Sequence, residues 1–185
     1  RKLWAIDAKS GEPCESFGRA GVVTLYGEDG YVPGDISSSS APTVAAGLVV
    51  VGSGIIDFAR ATTPRGTVTA FDAFNGAMVW QFDPLLNHEG SGSANVWAPM
   101  SVDEANGLIF LPTSAPSPDY YGADRPEGNL YANSIVALEL ATGKLRWHFQ
   151  HVHHDLWDYD TPAQPMLFDW QKDSTASAHE PIVEI

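Results

Sequence analysis

Within nine residues, Val152-His153-His154-Asp155-Leu156-Trp157-Asp158-Tyr159-Asp160 gathers three carboxylates, two imidazoles and two aromatic rings. A buried carboxylate needs a cation, a metal or several donors to offset its lost hydration. Structural loops therefore seldom concentrate acids in this way. Sites that move protons require it, because they use carboxylates tuned by neighbours and flat rings that hold a planar ligand. A metal-hydrolase reading of His153, His154 and Asp155 is disfavoured, since adjacent histidines on a strand point to opposite faces and no His-Glu-x-x-His spacing occurs.

Three other stretches carry groups of the same kind. In Val51 to Arg60, Gly52 and Gly54 let backbone approach a ligand, and Asp57 follows a strand. Asp57 suits a hard cation, or a turn that it caps. In Ser91 to Pro99, small residues lead to Trp97, whose ring either faces a cavity and stacks on a planar ligand or fills core. Ser114 to Gly122 is a proline-held loop after a strand. Its oxygens complete a metal site or simply make turns.

These groups need a frame, and the chain repeats. Trp4-Ala5-Ile6-Asp7 to Gly11, Thr69-Ala70-Phe71-Asp72 to Gly76, and Val136-Ala137-Leu138-Glu139 to Gly143 share a β-type run, an acid and a glycine four positions later. The glycines stand 65 and 67 residues apart. The second and third copies continue into Met78-Val79-Trp80 and Leu145-Arg146-Trp147, so each reads as a hairpin with glycine at a positive-φ turn position. A second motif keeps the same phase: Ala41-Pro42-Thr43-Val44 before Gly47-Leu48-Val49, Ala98-Pro99-Met100-Ser101 before Gly107-Leu108-Ile109, and Gln164-Pro165-Met166 opening a third. About four short strands per unit is the anatomy of a propeller blade. A β-sandwich would need two in-phase repeats by coincidence. The expected fold is all-β, one domain over residues 1–185 comprising about three four-stranded blades, too few to close a ring. The polar run Gln171 to His179 reads as a loop before a strand at Pro181-Ile182-Val183, and a first residue Arg1 rather than methionine reads as an excerpt of a larger protein.

Composition narrows the function classes. A net charge of −13 and a pI near 4.6 argue against nucleic acid as a partner. No apolar run reaches the roughly 18 residues of a membrane span. Cys14, the single cysteine, excludes an internal disulfide, and no Cys-x-x-Cys-His haem attachment is present.

Taken together, Gly52-Ser53-Gly54, Asp57, Arg65 to Asp72, Asn95-Val96-Trp97-Ala98, Asn133 to Leu138, and His148-Phe149-Gln150 through His154-Asp155-Leu156-Trp157-Asp158-Tyr159-Asp160 resemble the pyrroloquinoline quinone (PQQ) dependent dehydrogenases, nearest the glucose/quinate-type branch. The resemblance covers nearly the whole chain and fades after Trp170. It implies a propeller of about eight blades with PQQ near its axis and a divalent cation, usually calcium, beside the quinone. It puts the catalytic base on Asp158, the cofactor floor on Trp97, further cofactor contacts on Ser40 and Arg65, and metal ligands on Asp57 and Ser117. It implies a periplasmic enzyme that oxidises a small alcohol, sugar or polyol. Electrons would pass to ubiquinone or a cytochrome, with membrane association left open. Asp155, Asp160, His153 and His154 would support the loop. Asp57-Phe58 departs from the Asp-Asn of many glucose-oxidising members, and Ser117 is a weaker ligand than their asparagine. A lysine or arginine that contacts the quinone in relatives would lie beyond Ile185. A non-catalytic envelope scaffold would share the hairpins but has no reason to keep Asp57, Trp97 and Asp158. Apart from its other blades, the fragment is expected to be inactive.

Overall fold

A computed structural model of the chain describes residues 2–26, 32–86, 91–126, 129–170 and 180–184, with side chains described as far as Phe168. Two complete four-stranded antiparallel sheets form its centre. The first runs in chain order through Thr43–Ala45, Leu48–Val51, Val68–Asp72 and Met78–Phe82; the second through Ser101–Asp103, Leu108–Pro112, Ser134–Glu139 and Leu145–Gln150. Two-stranded sheets flank them, Lys2–Trp4 with Val22–Thr24 and Met166–Trp170 with Glu180–Glu184. The expectation of about three blades thus resolves into two whole blades and portions of two others. The strand expected near Pro181 is present, and residues 171–179 lie outside the described residues.

Local chemistry explains the blades. In each hairpin the glycine amide closes the turn on the acid four residues earlier: Gly11 on Asp7 (2.9 Å), Gly76 on Asp72 (2.8 Å) and Gly143 on Glu139 (2.8 Å). The three glycines sit at φ 76°, 73° and 68°, where a Cβ is strained. Asp72 also accepts the amides of Phe74 and Asn75 through Oδ1, and Asp7 does the same for Lys9 and Ser10. The register of both blades shifts at the same step, between Ala70 and Phe71 and between Ala137 and Leu138.

The blades pack through one continuous core that includes Val50, Val68, Ala70, Trp80, Val96, Ile109, Leu111, Val136 and Leu138. Its joint is specific. The Trp80 indole donates to the Leu140 carbonyl (2.8 Å) and lies where a Cβ on Gly143 would fall, 2.7 Å from the ring. Trp147, the Trp80 counterpart one blade later, has no such cover among the described residues and is 41% exposed against 7%. Gly143→Ala is therefore expected to lower stability by about 2–4 kcal/mol, combining left-handed strain with displacement of Trp80. Gly107→Ala, at φ 66° with open space around it, should cost only about 1 kcal/mol. Urea denaturation of the two variants separates collision from strain; equal losses would refute the joint.

This topology also decides where the non-repeating residues go. Successive strands are antiparallel, so the tight glycine hairpins at Gly47 and Gly76 share one end of the blade. The long connections 52–67 and 83–100, and 113–133 and 151–165 in the next blade, must share the other. Two short ribbons stitch that end, Ile36–Ser37 with Gly54–Ile55 and Gly92–Ser93 with Pro116–Ser117.

Candidate active site

Four carboxylates from three of these connections lie close enough to feel one another's charge. Burial, reinforced by Asp119 and Asp160, raises Asp57 to about 6. Burial, then Asp160, Asp119, Asp57 and Asp155, raises Asp158 to about 6. Asp119 is also pushed upward, chiefly by burial, with Asp160 adding to the push and Arg125 opposing it. Its Oδ1 is buried and has no hydrogen-bond partner among the described residues. Clustered acids that resist ionisation are an electrostatic arrangement suited to a cation or to proton transfer.

Asp160 itself is engaged. Its Oδ2 accepts the Trp97 indole Nε1 (2.7 Å), and its Oδ1 accepts the Ala115 amide (2.8 Å). Trp97 is held from behind as well, because Ser39 donates to its carbonyl (3.0 Å) and Ser40 does so too. The Trp97 ring is thus fixed in orientation and half-buried, while its neighbours Val96 and Ala98 are core.

Asp158 occupies a left-handed backbone position, φ 59°, unusual for a residue with a Cβ. Asp155 holds it there. This carboxylate, 1% exposed, accepts the Trp157 amide (2.9 Å) at Oδ1, and at Oδ2 the Tyr159 amide (2.7 Å) and the Asn133 side-chain amide (3.0 Å). Asn133 Nδ2 also donates to the Tyr159 carbonyl (2.7 Å). The turn is built around Asp155, and Asp158 is flanked in sequence by Trp157 and Tyr159, whose rings are exposed.

Asp57 and Asp158 feel each other's charge, and Trp97 is linked to them through Asp160. The structure gives the other candidates protein partners. Arg65 pairs with Asp83 through Nε and Nη2, both at 2.9 Å. The Ser117 hydroxyl is buried and donates to the Ala61 carbonyl (3.1 Å), and Ser40 serves the Trp97 backbone. His153 contacts Gln150, and the His154 ring packs on Gly122. Asp119, which the sequence reading left unassigned in its loop, joins the cluster. Its only local signal is its place two residues beyond Ser117. Phe58 and Tyr120, each just after a cluster acid, stack at 5.3 Å with planes 7° apart and tie the two loops at the rim.

Residues 1–179 match a family described as the PQQ glucose/ethanol/alcohol dehydrogenase β-propeller domain. The chain belongs to this family. It is 40% identical over 180 residues to the glycerol dehydrogenase large subunit of Gluconobacter oxydans, covering 91% of this chain and 24% of that protein. It is 37% identical over 180 residues to the quinoprotein glucose dehydrogenase of Escherichia coli, covering 91% and 23%. The crystal structure of quinohemoprotein alcohol dehydrogenase from Comamonas testosteroni superposes with a TM-score of 0.77 at 26% identity, over 98% of this chain and 28% of that one. The chain thus spans about a quarter of the length of the relatives it matches.

The residues of this PQQ propeller segment fit the cofactor and a cation in part. A planar quinone needs a fixed aromatic face, which the doubly anchored Trp97 offers. A hard cation needs oxygen ligands, and Asp57 and the Asp119 oxygen without a partner among the described residues are of that type. Among the described residues no three carboxylate, imidazole or thiolate groups converge on a single metal position. Any cation held here would take the rest of its shell from neutral oxygens or from other parts of the propeller.

Proposed function

We propose that the protein containing this chain is a PQQ-dependent dehydrogenase that oxidises a hydroxyl of a small alcohol, sugar or polyol. The observation that carries this reading is the acid cluster of Asp57, Asp119, Asp158 and Asp160 beside the anchored Trp97. A structural scaffold gains nothing from mutually repelling acids around a fixed ring.

When bound, PQQ supplies the hydride acceptor and a divalent cation, calcium first among the candidates, polarises its reactive carbonyl. The chain's own residues supply part of the site. Trp97 orients the cofactor plane, and Asp160 orients Trp97. Asp57 and Asp119 hold the cation, with Ser117 a neutral oxygen close by in sequence. Asp158, ionised above about pH 6, accepts the substrate hydroxyl proton at its carboxylate. Ser40 and Arg65 act through Trp97 and Asp83 respectively. The periplasmic address and transfer of electrons to ubiquinone or a cytochrome belong to the same proposal and rest on the family resemblance.

The deciding experiment reconstitutes the full-length protein with PQQ and calcium and follows dye reduction with glycerol, glucose, quinate and ethanol. Turnover with at least one is expected; none with any would sink the reading. Trp97→Ala should weaken PQQ binding about tenfold or more, measured by titrating the remaining tryptophan fluorescence. Unchanged affinity would return Trp97 to a packing role.

A further inference from the structure

Among the described residues, Arg125 is the largest fully buried side chain, at 2% exposure. A guanidinium in such a place normally faces a carboxylate. Among the described residues none lies within ion-pair distance of it; its hydrogen bonds go instead to neutral oxygens. Nη2 donates to the Asp155 carbonyl (2.7 Å) and to the Pro118 carbonyl (3.1 Å), and Nη1 to the Asn129 side-chain oxygen (2.6 Å). Its Nε has no partner among the described residues. Burial pushes the guanidinium below its ordinary value, while Asp155 and Asp119 pull the other way.

The two carbonyls belong to different loops. Pro118 precedes Asp119, and Asp155 organises the turn that projects Asp158. A second contact joins the same loops. The 3-10 turn Gly122–Asp124, closed by the Arg125 amide on the Gly122 carbonyl (2.9 Å), packs so tightly that a Cβ on Gly122 would lie 2.1 Å from the His154 ring and 2.6 Å from Leu156. One planar nitrogen therefore bridges the backbone of both acid-bearing segments at the point where they already touch.

We propose that Arg125 is a positioning residue: it locks the Asp119 loop to the Asp158 loop and so sets the spacing between the cation-binding acid and the base. This rests on the function proposed above. Arg125 reaches neither substrate nor cofactor and works through the Pro118 and Asp155 carbonyls. Its positive charge, with no carboxylate at ion-pair distance among the described residues, acts on both Asp155 and Asp119.

The test uses the full-length protein carrying Arg125→Lys or Arg125→Ala. Lysine keeps the charge and most of the volume, but its single ammonium cannot reproduce the planar fork, so it remains informative if the alanine variant does not fold. In cofactor-free protein, hydrogen exchange should speed up together in segments 117–120 and 154–160 of the lysine variant and stay slow in the strand Ser134–Glu139. With PQQ and calcium, kcat should fall about 10²-fold with KM changed far less, the signature of misplaced reacting groups. Added guanidinium ion should restore part of the activity to Arg125→Ala. Unchanged exchange, or loosening of one loop without the other, would overturn the proposal, as would full turnover in either variant. The exchange result needs neither cofactor nor turnover, so it stands or falls separately from the proposed reaction.

Discussion

Asp158→Asn in the full-length protein is expected to cut turnover by a factor of about 10²–10⁴, the usual contribution of a positioned base, while making the cofactor-free protein more stable at pH 8. The second half follows from the sign of the linkage. Folding raises Asp158 from 3.8 to about 6, so the folded state binds more protons than the unfolded chain between those values. The stability associated with its protonated form is complete below about pH 4 and is lost as pH rises through about 6. At pH 8 the ionised carboxylate is a burden that asparagine removes. The shift of about two units would be worth roughly 3 kcal/mol if fully expressed; partial solvation reduces this to about 1–2 kcal/mol. Asparagine also tolerates the left-handed backbone that this position requires. Thermal denaturation at pH 4 and pH 8 should show a gain only at the higher pH. A variant that turns over normally would remove Asp158 from its role, and one destabilised at pH 8 would contradict the electrostatic account.

Asp155→Ala should have the opposite character, a large structural loss. Its carboxylate satisfies three donors, the amides of Trp157 and Tyr159 and the side chain of Asn133. Each donor left unsatisfied in a buried place costs about 1–3 kcal/mol, so a total of about 3–5 kcal/mol is expected, with the 154–160 turn losing its form. Asp155→Asn keeps one acceptor oxygen and should lose about half as much. Denaturant titration together with limited proteolysis between His154 and Thr161 checks both; a neutral alanine variant would show that the turn is held elsewhere. The adjacent acids Asp155 and Asp158 would then be told apart by experiment, one essential to shape and the other to chemistry.

The hairpins were legible because their causes are local: an acid, a glycine four residues on, and the amides between them all lie in one turn. The phase of the repeat puts the long connections at one end of each blade, which is why Asp57, Trp97 and Asp158 share that end. What the sequence hid is what depends on loops meeting. Asp119 looks like any acid after a proline until the second blade folds it against Asp57 and Asp158. Arg125, among Gly, Asp and Pro residues, looks like a solvated loop cation, yet it is buried between two carbonyls contributed 7 and 30 residues away. Ser117 read as an available oxygen, while its hydroxyl is turned to Ala61. The short ribbons at Gly92–Ser93 and Pro116–Ser117 carry no periodic signal, since two residues cannot alternate.

The seating of Trp80 on Gly143 gives the molecule nearest-neighbour cooperativity. A blade's outer strand is completed by the hairpin of the blade that follows, so neither unit has a stability wholly its own. Damage at a hairpin glycine should surface first in the preceding blade, and unfolding should travel backwards along the chain from any weakened joint. The rigidity that holds the acid cluster together is thus a property of the array, carried by the shared core and by the seating of one indole on one missing side chain.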